Sequence, residues 1–352
     1  MKNLISLLLL AILLSCNNNE RSKKPSATGK AGELLVVTPE NKWTGMAGNL
    51  IRENFASPVP MLPQVEPNFN IIQIKNEEFV KLFETHRNLL FVDFDETIEK
   101  AKIEIQRNVW SYPQMVIRVT VPDENTLERL LDKNQEQFVG LYNENERERM
   151  INAYNRMLNH QAKKWVKENL DLKISVPEGY FIAKQTPQFV WLRQTGTRED
   201  LDLGLLISVL PYKDPEKDFN HETIWARRDS LTKKHIPGTF PDSYMTTYAD
   251  IPPLFREINF NGNYAVEARG LWKVQGDFMG GPFINVTFVD EQQSRIINID
   301  GFVYAPGFEK RDYLRQVEAL MYSVMIPSEE DEEDQEDEDD QTDTEQNQSE
   351  QV

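Results

Sequence analysis

One cysteine, Cys16, occurs among the 352 residues, and its place in the chain narrows what the rest can fold into. It follows Lys2 and an apolar run from Leu4 to Leu14. That charge-then-apolar order is that of an export signal, and the run is shorter than the roughly 20 residues that span a bilayer. An exported chain with one thiol cannot close an internal disulfide, and zinc sites built on several cysteines are excluded. Stability must therefore come from an ordinary hydrophobic core. The stretch of about 300 residues that follows is long enough to form one, divided over two domains.

The run Leu13-Leu14-Ser15-Cys16 resembles the bacterial lipobox. The resemblance implies removal of residues 1–15 as a signal peptide and attachment of diacylglycerol to the Cys16 sulfur, which makes Cys16 the mature N-terminus. A buried cytosolic cysteine is the alternative. The two or three acyl chains that a lipobox implies hold a protein durably where one does not. Residues 16–30 are polar, include Pro25 and Gly29, and are expected to act as a tether. The expected location is the cell envelope, anchored to the outer membrane. Asn17-Asn18-Asn19 lacks the acidic run associated with surface export, which points to the periplasmic face.

The formal net charge of −18 is unevenly distributed. Residues 328–352 hold 14 carboxylates and no Lys or Arg, leaving 43 acidic against 39 basic residues elsewhere, a balance of −4. The tail has no aromatic residue, so burial cannot offset the entropy of ordering it, and disorder is expected. Its two readings are a solvating appendage and a strip that attracts cations or a basic partner. Nothing resembles the basic face that nucleic-acid binding requires.

Between these ends, the pattern predicts an α+β protein. Residues 31–170 alternate strands and helices and read as an N-terminal α/β, split βαβ-like layer. Strands are expected at Glu33 to Val37, Phe69 to Ile74, Leu89 to Phe94, Ile103 to Val109 and Met115 to Val121. Helices are expected at 43–55, at Glu77 to Thr85 with Phe79, Leu82 and Phe83 on one face, and from Asp123 to about Leu170. Residues 171–327 read as a C-terminal antiparallel sheet with packed helices. Leu172, Ile174 and Val176 alternate as a strand would, and strands follow at Phe189 to Gln194 and Leu203 to Leu210. A helix around His221 to Lys234, a four-strand meander from Leu254 to Tyr304 and a capping helix at Glu309 to Val324 complete it.

The order of this second half, with Val176-Pro177-Glu178-Gly179-Tyr180 leading into a strand pair, helix, meander and helix, is similar to the Mog1/PsbP-like fold. Members of that fold are mostly binding or assembly factors, so the resemblance implies a non-enzyme. Over nearly all of the mature body the chain also resembles an uncharacterised lipoprotein family of the Bacteroidota type. That likeness rests on the lipobox, Gly32 to Val37, His86-Arg87-Asn88, Gln106 to Gln114 and Phe189-Val190-Trp191-Leu192-Arg193. It brings no activity with it.

One motif suggests catalysis. Leu89-Leu90-Phe91-Val92-Asp93-Phe94-Asp95-Glu96-Thr97 resembles the first motif of the haloacid dehalogenase superfamily, which implies a magnesium-dependent aspartyl phosphatase with Asp93 as nucleophile and Asp95 as acid/base. Against this, the motif is not on the first strand, and the lysine and acidic pair that the chemistry needs have no clear place. The alternative is a buried strand that ends in solvated acids, with Asp95 capping a short helix. The histidines His86, His160, His221 and His235 form no metal-binding spacing and are expected as exposed helix residues. No cofactor or metal is expected. Core packing is expected for most tryptophans. A candidate binding cleft is expected between the two halves, near Arg87, Trp110, Gln114, Trp191 and Arg193, residue types that anchor interfaces. The function expected is that of a membrane-anchored binding or assembly module that contacts protein, glycan or lipid in the envelope.

Overall fold

The computed structural model describes residues 24–196 and 200–327. The signal segment, Cys16 and the acidic tail lie outside the described residues. The chain forms two compact units, Met1–Asn54 with Ile71–Phe138, and Phe55–Asn70 with Val139–Val352. The second unit thus takes in residues 55–70 and begins before residue 171, where the sequence pattern had suggested a boundary. The fold is mixed α+β, a sheet with helices followed by an antiparallel sheet with packed helices.

The first unit contains β1 (Glu33–Val37), α1 (Met46–Phe55), β2 (Asn70–Ile74), β3 (Asn88–Phe94), β4 (Lys102–Arg107), β5 (Met115–Val121) and the start of α2 (Glu124–Tyr154). Its sheet order is β2-β1-β3-β5-β4. β3 lies parallel to both β1 and β5, while β4 runs antiparallel at the edge. The unbroken apolar runs Leu34–Val37 and Leu89–Val92 suit central parallel strands, which are buried on both faces. Leu35, Val37, Leu89, Phe91 and Val116 share one cluster, against which Phe79, Phe83, Val109 and Trp110 pack.

The helix expected over residues 77–85 is broken. Asn76–Glu78 is a 3-10 turn and Lys81–Glu84 a single helical turn, separated by an extended Val80. Phe79 and Phe83 find the sheet, whereas Val80 and Leu82 remain exposed. The expected tether is also fixed from Lys24 onward. Ala27 N–H donates to the Tyr112 carbonyl, Thr28 N–H to Thr85, and Arg87 N–H back to Thr28. Gly29 has a φ of +92°, and a Cβ there would lie 2.6 Å from His86 Nε2, so this contact excludes a side chain.

The second unit continues with α3 (His160–Leu170), β6 (Phe181–Thr186), β7 (Phe189–Thr195), β8 (Asp202–Pro211), α4 (His221–His235), β9 (Tyr244–Thr247), β10 (Leu254–Phe260), β11 (Asn263–Gln275), β12 (Gly280–Asp290), β13 (Arg295–Tyr304) and α5 (Arg311–Tyr322). The sheet order is β10-β11-β12-β13-β8-β7-β6, with β9 added to β11. All its pairings are antiparallel. Alternation assigns Val190, Leu192, Leu205, Ile207, Ile284, Val286, Ile297 and Ile299 to one face, beneath Val166 and Leu170 of α3 and Leu314, Val317 and Met321 of α5. Phe189, Trp191, Leu206, Trp272, Phe283 and Phe302 form a cluster on the other. The strand expected at 172–176 is an extended segment bridged only between Lys173 and Met325. Its Leu172, Ile174 and Val176 are buried in the first cluster, so the alternation reflects burial without a ladder.

Residues 55–70 join this unit through one carboxylate. Glu66 is buried and accepts the backbone N–H groups of Lys310 at 2.7 Å and Arg311 at 2.8 Å. These are donors at the start of α5 that lack intrahelical partners, and the helix dipole favours a negative charge there. Arg311 and Arg315 donate in return to the carbonyls of Pro67 and Asn68. Glu66→Ala is expected to cost about 2 kcal/mol, read as a lower urea midpoint with unchanged slope.

Candidate functional site

The sequence-marked residues fall in both units. In the first, Gln114 is buried and acts as a brace. Its Nε2 donates to the carbonyls of Glu84 (2.6 Å) and His86 (2.8 Å), and its Oε1 accepts the N–H of Trp110 (2.9 Å). Trp110 is half-buried beside Phe79, with ring centroids 5.9 Å apart. The Arg87 backbone pairs with Thr28 and Met115. In the second unit Trp191 is buried, and Arg193 lies 5.2 Å from its ring and 2.7 Å from Asp202. Within each unit these residues are neighbours with structural partners.

Asp93 and Asp95 also have structural partners. Asp93 accepts Arg118 Nη1 at 2.6 Å and Asn76 Nδ2 at 2.9 Å. Asp95 accepts the hydroxyl and N–H of Thr97, which hold its pKa below the usual carboxylate value, and so caps a turn. Among the described residues, no three His, Cys, Asp or Glu side chains are grouped to hold a metal.

The interior of the second unit contains polar groups that mostly satisfy one another. Arg228 of α4 is buried and forms a forked pair with Asp300 at 2.7 and 3.3 Å. Asn285, Asn298 and Thr287 extend that network across β12 and β13. On the opposite face Glu267 is fully buried. Burial alone would raise its pKa, but Arg269 and Arg256, each 2.7 Å away, bring it down to about 2. Arg269 continues to Glu318 of α5.

A groove runs outside this packed interior. Gln161, Lys164, Trp165 and Glu168 recur at i, i+3, i+4 and i+7 and form the outer stripe of α3, opposite the buried Ala162, Val166 and Leu170. With Ile182, Ala183, Lys184 and Gln185 of β6 they enclose about 620 Å³. β6 ends the sheet, so among the described residues one edge of its backbone pairs with no other strand. A bulge between Ile182 and Lys184 shifts its register on β7. The groove therefore offers a half-buried indole, two lysines and a free strand edge. The sequence reading did not include β6, because FIAKQT has only a weak alternation. The i, i+3, i+4, i+7 stripe of α3 was the available signal.

Residues 159–323 match a family described as a domain of unknown function (DUF4837), and residues 27–155 match another so described (DUF8532). Neither description assigns an activity. No curated protein matches the chain. Among solved structures, a mutant of protein Mog1 is similar at 10% identity and a TM-score of 0.30, covering 45% of this chain and 92% of that one. LpqN, described as involved in cell envelope biogenesis of Mycobacterium tuberculosis, is similar at 13% identity and a TM-score of 0.27, over 44% and 83%. A Pseudomonas aeruginosa protein of unknown function is similar at 15% identity and a TM-score of 0.26, over 44% and 89%.

Two histidines expected to be exposed, His86 and His235, are buried. His235 stacks on Phe189 at 3.9 Å, and its Nδ1 has no hydrogen-bond partner. Burial, and then Lys184 and Lys234, lower its pKa from 6.5 to about 4. Between those values the unfolded chain binds the proton and the native protein does not, so stability is full above pH 6.5 and falls as the pH drops towards 4. A shift of that size corresponds to a loss on the order of 3 kcal/mol. Urea titrations from pH 7 to 4 should show this slope, and His235→Phe should flatten it.

Proposed function

We propose that this is a lipid-anchored envelope protein whose second unit binds an extended, acidic segment of a partner protein rather than transforming a substrate. The groove between α3 and β6 is the observation that carries the reading. A peptide laid along an edge strand gains main-chain hydrogen bonds, and adjoining side-chain sites supply specificity. Trp165 provides the apolar wall; Lys164 pairs with Glu168 at 3.6 Å and Lys184 donates to the Lys234 carbonyl, so the two lysines against one carboxylate leave the lining with a positive balance that favours an acidic segment. The titratable groups inside the fold support binding over catalysis, because most of them are committed to ion pairs and caps.

The anchor reading rests on the lipobox-like Leu13 to Cys16. Cells given labelled palmitate should label the parent protein, and Cys16→Ser should abolish the label and move the protein from the detergent phase to the aqueous phase. A photo-crosslinking residue at Gln185 in intact cells should trap a discrete adduct, and Lys184→Glu should weaken that adduct without lowering the thermal midpoint. Absence of any adduct, with the crosslinker shown to be incorporated, would refute the groove.

A further inference from the structure

Two loops at one end of the second unit hold phenylalanines in solvent. Phe278 is 104% exposed at the turn between β11 and β12, and Phe240 is 56% exposed in the connection from α4 to β9. The loops are adjacent and closed. Asp277 carboxylate oxygens accept the N–H of Thr239 at 3.2 Å and of Phe278 at 2.7 Å. Val274 N–H donates to the Met279 carbonyl, and Gly238 N–H to Ser243. A Cβ on Gly238 would lie 2.4 Å from both Val274 Cγ1 and Ser243 Oγ, so the loops touch where they leave the sheet.

This end has a layered chemistry. Outermost are Phe240 and Phe278, while Met279 sits inward against the buried cluster. Behind them is Tyr244, which pairs with Gln275 at the base of the β11–β12 turn and carries the Lys233 ammonium 4.6 Å over its ring. Lys233 and Lys234 at the end of α4 stand beside the loop carboxylates Asp242 and Asp277, and Asp277 is taken up by backbone amides. Apolar tip, aromatic belt and cationic rim are the order in which a bilayer presents hydrocarbon, interface and phosphate.

We infer that the Phe240–Phe278 tip inserts into the surface of a lipid bilayer. A protruding pair offers no concavity and no free strand edge to a protein partner. It does fit a fluid apolar medium, and because the loops are closed in advance little ordering opposes insertion. The inference is independent of the groove and of acylation at Cys16.

The test uses the unacylated mature chain, which starts at residue 17 and so lacks the apolar Leu4–Leu14 run, sedimented with phosphatidylcholine vesicles alone or mixed with phosphatidylglycerol. The chain should co-sediment. The double variant Phe240→Ser, Phe278→Ser should partition about tenfold or more weakly at an unchanged thermal midpoint. Phe278→Trp should shift its emission to the blue when vesicles are added, a readout that holds even if the double variant melts early. Three results would overturn the inference. They are a parent chain that stays in the supernatant, partitioning that needs phosphatidylglycerol and survives the double variant, and self-association without vesicle binding that the double variant abolishes.

Discussion

The second unit is organised by a sheet that is apolar on both faces. Strands such as Phe189-Val190-Trp191-Leu192 send alternate side chains to opposite clusters, so neither face can remain in water. α3 and α5 cover one side and α4 lies over the other, and α4 and α5 are pinned by charge. Glu66 fixes the start of α5, Glu318 ties its body to Arg269, and Arg228 attaches α4 to Asp300 in mid-sheet. Gly301 lets α5 approach, since a Cβ there would meet Val317 at 2.4 Å.

The location of those charges decides where function can reside. A buried ion pair contributes little net stability against an apolar substitute, yet breaking it leaves a charge stranded. Arg228–Asp300 and the Glu267–Arg269–Glu318 chain therefore bind the elements together more than they offer chemistry to a ligand. What is left for recognition lies at the periphery: the unpaired edge of β6, the outer stripe of α3 and the loop tips beyond β9 and β11.

The longer strands could be read from the sequence because each carries either an unbroken apolar run or a clear alternation. Glu33–Val37, Met115–Val121, Leu254–Phe260 and Arg295–Tyr304 appear where the pattern puts them. Elements whose stability comes from context did not show. β6 and β9 are short and lie at the margins of the sheet, with little apolar signal of their own. Residues 77–85 have helical spacing, but an extended Val80 divides them. Residues 55–70 carry Pro58, Pro60, Pro63 and Pro67 and no periodicity, and nothing local indicates that Glu66 will meet a helix 244 residues later. His86 and His235 are polar in isolation, and a neighbouring glycine and a phenylalanine ring enclose them. The groove escaped notice because it joins one weak strand to the wet side of a helix.

The docking of residues 24–30 on the first unit bears on how that unit takes load. Lys24 donates to the carbonyls of Asn108 and Val109, and Thr28 exchanges backbone bonds with Thr85 and Arg87. A pull applied at residue 24 would load these bonds before it reached the sheet. The segment is a clasp across two loops rather than a loose thread, and force has to undo it before the strands behind it can part.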